Sequence, residues 1–388
     1  MNTTTESRPR LAQHENSVPF FWPFTAAATM IEAGEKLVAR NLDFALEAEK
    51  IDFGLHPAFA SPNRVLLDLH TLRLRDFSVP EASGIPTIVD APFAGHSSTI
   101  ADYHKGQSLV ETLLASGLQR VLVTDWKSAT PEMKDYDIDH YLAELLVCID
   151  ELGGRVNLVG LCQGGWMSAM VAARFPEKVN RLVLAGSPID TDAGNGPIRE
   201  LAHTLPVSFY EDLVKMGSGL MEGRFMLQGW KAMHPDQQYV QKYLELYEHM
   251  NDPDYLNKTE TFEAWYENPI DLPGRWYLQA ITQLFKENLL AKGRFVGLGK
   301  TLKLAHITCP TYLLAGESDD ITTKEQVFAA RELLGTPKDQ IVSTLCPGGH
   351  IGLFMGSRTL AQTWPEIGKW LVAGEAGRRS GHRDRHNT

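Results

Sequence analysis

A cysteine in a glycine-rich segment is the residue of this sequence best suited to covalent chemistry. Cys162 lies in Gly160-Leu-Cys-Gln-Gly164-Gly165, after the apolar run 156–161 and before a helical pattern that ends ahead of Pro176. A nucleophile on a sharp strand-to-helix turn needs small residues on both sides, because larger ones would clash with the strand and the helix. The N-terminus of the following helix favours a thiolate. The pattern therefore predicts a nucleophilic thiol, with an inert buried cysteine in a tight turn as the alternative.

A histidine and a pair of aspartates further along the chain complete a predicted triad. His350 follows the apolar run 341–345 on a Cys-Pro-Gly-Gly turn, and Asp319 and Asp320 follow the run 311–316. The order nucleophile, acid, histidine is typical of hydrolases built on a parallel sheet. His350 would accept the thiol proton, and the acid would fix its tautomer. We favour Asp319 as the acid, and Asp320 could instead cap the helix that follows.

Backbone donors for an oxyanion are predicted at two places. The first is the N–H of Gln163, directly after the nucleophile, and the second is Phe93 or Ala94 in the segment Ala-Pro-Phe-Ala-Gly-His that ends at His96. Three residues are candidates for substrate contact: Ala94, His96 and Trp166. Acyl transfer through such a triad needs no metal ion and no organic cofactor, so none is expected.

Apolar runs of strand length supply the elements that must position these residues. They begin near residues 87, 121, 156, 182, 311 and 341, and helical patterns separate them. Near-continuous runs of aliphatic residues are typical of strands buried on both faces of a parallel sheet. The alternation predicts an α/β protein with a mostly parallel, doubly wound sheet, the α/β-hydrolase fold. The alternation stops at 189–303, which we interpret as an inserted, mainly helical cap.

These patterns divide the chain into segments. Residues 1–19 and the basic tail 373–388 are predicted to be disordered because they are polar and lack periodicity. Residues 20–80 are interpreted as helices and lead-in strands, 81–188 and 304–372 as the two parts of the core, and 189–303 as the cap. The aromatic segment 20–24 is expected to pack on the body, with a hydrophobic docking surface as the alternative.

Composition narrows the function classes. The chain has 388 residues and a formal net charge of −11, which argues against nucleic acid as a partner. No run approaches the roughly 20 apolar residues of a transmembrane helix, and the N-terminus does not resemble a signal peptide, so we expect a cytoplasmic protein. Four scattered cysteines without a Cys-x-x-Cys pair indicate neither a disulfide framework nor a zinc site.

Several motifs resemble those of the intracellular poly(3-hydroxybutyrate) depolymerases and the related polyhydroxyalkanoate synthases. The resemblance extends from about residue 87 to 371 and is carried, besides the elbow, by segments 91–96, 123–126, 185–190, 271–279, 316–321 and 347–352. It implies a thiol α/β-hydrolase with Cys162, Asp319 and His350 as its triad. It also implies a polyester granule or hydroxyacid ester oligomer as partner, in the cytoplasm and in association with granules. A homodimer is left open beside a monomer.

The motifs do not agree on the direction of the reaction. The depolymerases have Cys-Gln-Pro where this chain has Cys162-Gln-Gly, which is closer to the synthases, whereas the synthases tend to carry Asp-His-Ile where this chain has Asp319-Asp-Ile. We predict hydrolysis of polyhydroxybutyrate-type polyester or its oligomers, because the negative charge suits coenzyme A esters poorly and the overall order of motifs follows the depolymerases. The main alternative is a synthase-like acyltransferase that polymerises hydroxyacyl-coenzyme A. A dienelactone-hydrolase-like enzyme and a granule-binding protein are further alternatives.

Overall fold

An eight-stranded sheet forms the centre of the protein. The computed structural model describes residues 34–53, 55–233 and 241–381. The sheet strands are β1 (Arg64–Asp68), β2 (Leu72–Asp76), β3 (Thr87–Asp90), β4 (Val121–Trp126), β5 (Val156–Leu161), β6 (Val179–Ala185), β11 (Thr311–Gly316) and β12 (Ile341–Cys346). Each apolar run predicted as a strand forms one. The runs of β3 to β6 and β11 are buried almost throughout, as expected for central strands.

The strand order is β1-β2-β4-β3-β5-β6-β11-β12. The first two strands run antiparallel to their neighbours, and the other pairs from β4 to β12 are parallel. The carboxyl ends of β3, β5, β11 and β12 therefore meet at one edge, where ligands bind in sheets of this kind. The predicted α/β-hydrolase fold is confirmed.

Helices cover the sheet and build the cap. Those of the core are α2 (Leu109–Ala115), α3 (Ile138–Glu151), α4 (Gln163–Arg174), α11 (Lys324–Phe328), α12 (Ala330–Leu333), α13 (Gly352–Met355) and α14 (Ser357–Gly381). Helix α4 follows the elbow and is buried along most of its length, and Ala, Met and Gly occupy seven of its twelve positions.

The segment between β6 and β11, interpreted from the sequence as a cap, is mainly helical in its described residues. It contains α5 (Pro197–Thr204), α6 (Val207–Met216), α7 (Gly223–Met233), α8 (Lys242–Glu248), α9 (Pro253–Tyr266), α10 (Gly274–Gln279) and a π-helical turn (Ala280–Lys286). Two small ladders were not predicted. They pair β7 (Leu220–Met221) with β8 (Leu272–Pro273) and β9 (Val296–Gly297) with β10 (Lys300–Thr301).

The N-terminal helix α1 (Gly34–Phe53) packs on the cap rather than on the sheet. Its Phe44, Ala48 and Ile51 form a satellite hydrophobic cluster with Leu246 of α8, separate from the main core. The predicted disordered segment 1–19 and the aromatic segment 20–24 lie outside the described residues.

The C-terminal segment differs from the sequence prediction. Where an irregular tail was predicted from residue 373, helix α14 continues to Gly381. Ala, Glu and Arg are good helix formers, and they extend a helix already fixed by the buried Trp364, Ile367 and Leu371 despite two intervening glycines. Residues 382–388 lie outside the described part.

Among the described helices, none has the length and apolar character that crossing a bilayer requires. The four cysteines are free thiols, three of them buried.

Candidate active site

The turn that carries Cys162 is strained, and its glycines are sterically required. Cys162 lies between β5 and α4 with φ +50° and ψ −114°, a conformation that L-residues rarely adopt. A Cβ on Gly164 would lie 2.0 Å from the carbonyl oxygen of Asp90, and one on Gly165 would lie 1.7 Å from Ser187 Oγ. A Cβ on Gly160 would meet the Cα of Gly165 at 2.3 Å. This geometry is that of a nucleophile elbow.

The predicted histidine and the first aspartate come together beside the thiol. His350 Nδ1 lies 2.8 Å from Asp319 Oδ2, while Asp319 Oδ1 accepts hydrogen bonds from the backbone N–H groups of Ile321 and Thr322 at 3.0 and 2.8 Å. These three contacts fix the Asp319 carboxylate with its Oδ2 toward His350. Asp320 instead lines the cavity above the thiol.

The electrostatics of this buried site favour a protonated His350 ring, the imidazolium. Burial alone would lower the pKa of His350, but the charges of Cys162 and Asp319, together with hydrogen bonds to both, raise it to about 10. A proton held by His350 at neutral pH places a positive charge beside Cys162, and a neighbouring cation favours the thiolate, the reactive form of cysteine nucleophiles.

The backbone around the thiol can receive an oxyanion. Gln163 is the first residue of α4, so its N–H belongs to the unpaired first turn of the helix and directly follows Cys162 in the chain. The loop after β3 (residues 91–96), called the oxyanion loop below for its predicted role, runs past the same cavity, which Pro92 and Ala94 line. The Phe93 side chain points away from it into the core, where its ring stacks on Tyr141 at 4.7 Å. Of the predicted second donors, Ala94 is therefore the residue with a surface on the cavity.

A cavity of about 360 Å³ opens above Cys162 and His350. Its floor comes from the loops after β3, β5, β11 and β12, and its roof from the cap helices α7 and α9. On α7, Met226 packs over Gly95 of the oxyanion loop, and Trp230 and Met233 line the cavity. The spacing of these three places them on one face of α7, which covers the site.

His96, predicted to contact substrate, lies in the wall of this cavity. Its ring stacks on Trp265 at 4.6 Å and its Nε2 lies 3.0 Å from the carbonyl oxygen of Tyr266. Burial lowers the pKa of His96 to about 4, so the ring is neutral and donates to that carbonyl. His96 thereby ties the oxyanion loop to helix α9.

The structure does not bring Trp166 to the thiol cavity. It is 1% exposed and packs against Trp276, because its position on α4 faces the core. Other aromatic residues line the cavity instead of Trp166, and the sequence did not single them out. The main ones are Trp230, Phe262 and Trp265. The four- and three-residue spacing of Met226, Trp230 and Met233 is the signal that could have indicated a helix face over the site.

A buried carboxyl below the elbow was also missed. Asp90, at the end of β3, accepts hydrogen bonds from Ser168 Oγ of α4 at 2.9 Å and Thr124 Oγ1 of β4 at 3.2 Å. Burial raises its pKa to about 8, so the carboxyl is protonated at neutral pH. Asp90 links the strand that leads into the oxyanion loop to the helix that follows the nucleophile.

A sequence match shows the family of the chain. Residues 71–361 match a family described as "Protein of unknown function (DUF3141)". The chain belongs to the DUF3141 family. The match runs from β2 into α14 and includes the elbow, Asp319 and His350.

Several curated relatives of this DUF3141 protein are named as poly(3-hydroxyalkanoate) polymerase subunits. It is 26% identical over 348 residues to the poly(3-hydroxyalkanoate) polymerase subunit PhaC of Allochromatium vinosum, covering 88% of this chain and 95% of the relative. It is 28% identical over 280 residues to the PhaC subunit of Synechocystis, covering 70% and 74%. A solved monoacylglycerol lipase of Paleococcus ferrophilus covers 79% of this chain and all of its own, at 17% identity and a TM-score of 0.49. The relatives confirm the resemblance to polyhydroxyalkanoate synthase-like α/β-hydrolases.

Proposed function

We propose that this DUF3141 protein is a thiol acyltransferase that takes hydroxyacyl groups from thioesters onto Cys162 and passes them to a hydroxyl, the reaction of a polyhydroxyalkanoate polymerase. The observation that carries the proposal is the placement of Cys162, His350 and Asp319 at the floor of a roofed cavity. Curated relatives named as polymerase subunits support the direction of the reaction. The sequence alone favoured hydrolysis, on net charge and motif order, and the relatives favour its alternative.

Acylation uses the pair described above. The Cys162 thiolate attacks the thioester carbonyl, and the new C–S bond leaves a tetrahedral oxyanion that the Gln163 N–H and the oxyanion loop stabilise. Collapse of this intermediate breaks the C–S bond to the leaving thiol, which takes the proton from the His350 imidazolium. The product is acyl-Cys162 and a free thiol.

Transfer completes the cycle. His350, now neutral, accepts the proton of an incoming hydroxyl, whose oxygen attacks the acyl-Cys162 carbonyl and expels the thiolate. The cavity favours a substrate hydroxyl over water, because a substrate bound there would hold its hydroxyl next to acyl-Cys162. Asp319 keeps the Nδ1 proton on His350, so that Nε2 faces the sulfur in both steps.

Hydrolysis of a polyester is the second candidate, and Asp320 is the observation that favours it. This residue lines the cavity at the position where the synthases tend to carry histidine. Its carboxylate would add negative charge where a coenzyme A ester must enter.

A two-armed assay separates these reactions. One arm offers 3-hydroxybutyryl-coenzyme A and records free coenzyme A, insoluble polymer and the mass of acyl-Cys162. The other arm offers amorphous polyhydroxybutyrate and short oligomers and records soluble acid. Polymer in the first arm, absent in Cys162→Ala, is the expected result. Soluble acid from the second arm alone would make the protein a depolymerase, and no acyl-enzyme in either arm would overturn the proposed substrate class.

A further inference from the structure

The oxyanion loop leaves the sheet at Ala91, and two side chains of β4 hold both backbone groups of this residue. The ladder between β3 and β4 ends at the pair Val89–Val123, whereas β4 continues to Trp126. Beyond that pair the Ala91 N–H donates to Thr124 Oγ1 at 3.0 Å, and the Ala91 carbonyl oxygen accepts from Trp126 Nε1 at 2.8 Å. Backbone groups in a buried place need partners once the ladder has ended, so these two side chains fix the start of the loop.

Asp90 connects this anchored start to the helix that follows the nucleophile. The Thr124 hydroxyl, which accepts from Ala91, donates to Asp90 Oδ1 at 3.2 Å, and Ser168 Oγ of α4 donates to Asp90 Oδ2 at 2.9 Å. The Asp90 backbone also lies against Gly164, one helical turn before Ser168, where an added Cβ would come within 2.0 Å of the Asp90 carbonyl oxygen. Asp90 therefore contacts α4 at two points, and its hydrogen bond from Thr124 joins both to the loop.

An oxyanion site between these elements depends on the distance that the contacts set. One predicted donor, the Gln163 N–H, begins α4, and the other belongs to the oxyanion loop, at Ala94. Two donors stabilise one oxyanion only if both lie about 3 Å from it. A misplacement of about 1 Å can lower a rate by about 100-fold. A contact that fixes the loop against α4 would thus act on the reaction without touching the substrate.

We infer that Thr124 and Asp90 are positioning residues, which hold the oxyanion loop at the distance from α4 at which both donors reach the same oxyanion. Both side chains are fully buried and lie outside the lining of the cavity above Cys162. Thr124 belongs to segment 123–126, one of those that carry the family resemblance, and the proposed triad gives this segment no role. The inference rests on the covalent step proposed at Cys162, and it holds whether a hydroxyl or water accepts the acyl group.

Thr124→Val tests the inference, and Thr87→Val is its matched control. Each substitution removes a fully buried hydroxyl and keeps the shape of the side chain. Thr87 begins β3, at the end of the strand away from the loop, and its Oγ1 accepts a hydrogen bond from Asn157 Nδ2 at 3.1 Å. The two variants therefore lose comparable hydrogen bonds at opposite ends of the same sheet, and urea unfolding measures the stability that each one loses.

Acylation of Cys162 is followed with para-nitrophenyl butyrate, because release of nitrophenolate reports attack on the carbonyl whatever group later accepts the acyl. Cys162→Ala gives the background rate. In Thr124→Val the rate constant at saturating ester should fall about 100-fold, with an unchanged half-saturating concentration. Thr124→Ser, which keeps the hydroxyl, should recover most of the rate, and Thr87→Val should react like the wild type. Ser168→Ala probes the same contact from α4 with a smaller change and should lower the rate constant about 10-fold.

A wild-type rate constant in Thr124→Val or Ser168→Ala would overturn this inference. An equal loss in Thr87→Val, or a loss that Thr124→Ser does not recover, would overturn it as well, since the effect would then follow from stability alone. A wild type that the nitrophenyl ester does not acylate at Cys162 would show that the loop and α4 form no oxyanion site. A wild type acylated by this ester but not by 3-hydroxybutyryl-coenzyme A would overturn the proposed function and leave the positioning roles to the variants.

Discussion

At the scale of single residues, the protonation of His350 should set the alkaline limit of the proposed turnover. Its pKa is raised to about 10, so the imidazolium proposed to protonate the leaving thiol persists at neutral pH and is lost as pH rises through about 10. On the alkaline side, the rate of thioester turnover should therefore decline only near pH 10. In Asp319→Asn the decline should move to lower pH, because the carboxylate charge and its hydrogen bond to Nδ1 are among the causes of the raised pKa.

The measurement is a pH profile of coenzyme A release, including the residual rate of Asp319→Asn. Asp320→Asn is the matched control, since its side chain lines the cavity while Asp319 bonds His350. An alkaline limb at the same pH in wild type and Asp319→Asn would contradict the assignment of Asp319.

Asp90 should make the free energy of unfolding depend on pH. The sign is opposite to that of an aspartate whose pKa is lowered on folding. Its pKa is about 8 in the folded protein against about 3.9 in an unfolded chain, because full burial disfavours the carboxylate. The folded state thus holds a proton that the unfolded state releases. The free energy of unfolding should fall as pH rises from about 4 to about 8, and this contribution should then stay constant.

Asp90→Asn removes the titration but keeps a neutral group of the same shape between Ser168 and Thr124. Urea unfolding at pH 5 and pH 8 should show the wild type losing stability relative to this variant at the higher pH. Parallel losses in both proteins would show that Asp90 is not protonated when folded.

Residue types indicate the proposed triad more readily than they indicate its surroundings. Cys162 and His350 each lie in a short segment whose local chemistry, a glycine elbow or a turn after a strand, can be recognised in the sequence. Trp230 lies 68 positions after the nucleophile (230 − 162) and reaches the cavity only because the cap folds back. Asp90 resembles any residue at a strand end until the packing of α4 and β4 around it is known.

At the scale of elements, the junction of β3, β5 and α4 has no room for an additional atom. In Gly164→Ala the new methyl group would meet the backbone of Asp90, which no side-chain rotation can move. We expect a loss of about 3 kcal/mol in the free energy of unfolding, and a large loss of acylation because the elbow shifts. Gly229→Ala in α7 is the control, since a Cβ there has no atom within 4 Å and alanine favours a helix.

Chemical denaturation measures the change in the free energy of unfolding, and the acylation rate of Cys162 measures the effect on the elbow. Gly164→Ala with wild-type stability would mean that β3 and α4 can move apart.

Some helices and strands can be predicted from local sequence patterns, and others cannot. Strands β3 to β6 and β11 could be predicted because buried parallel strands require continuous aliphatic runs. The extent of α14 could not, since its last turns continue a helix whose stability comes from tertiary packing at Trp364 and Leu371. The small β7–β8 ladder has two residues in each strand and leaves no periodicity to detect.

At the scale of the whole molecule, the protein has two unequal hydrophobic centres. The main core joins the sheet, its helices and most of the cap, whereas the satellite cluster joins only α1, α8 and their neighbours. Buried charges accompany the satellite cluster. Lys242 Nζ lies 2.9 Å from Glu263, 3.2 Å from Glu267 and 3.2 Å from Asp52 of α1. This network ties the N-terminal helix to α9, which forms part of the roof over Cys162.

Lys242→Met should therefore loosen one part of the molecule and leave the rest intact. The substitution leaves Glu263 buried without its cation, and burial already raises the pKa of that carboxyl. Removing one member of a buried ion pair costs about 3 kcal/mol or more. Because few apolar residues hold the satellite cluster, we expect this loss to appear as local opening of α1 and α8.

Hydrogen exchange followed by mass spectrometry should show faster exchange in α1 and α8, with β5 and β6 unchanged. Lys215→Met, which breaks an exposed pair with Asp212, should change exchange in neither region. Uniformly faster exchange after Lys242→Met would instead mean that the cap and the sheet unfold as a single cooperative unit.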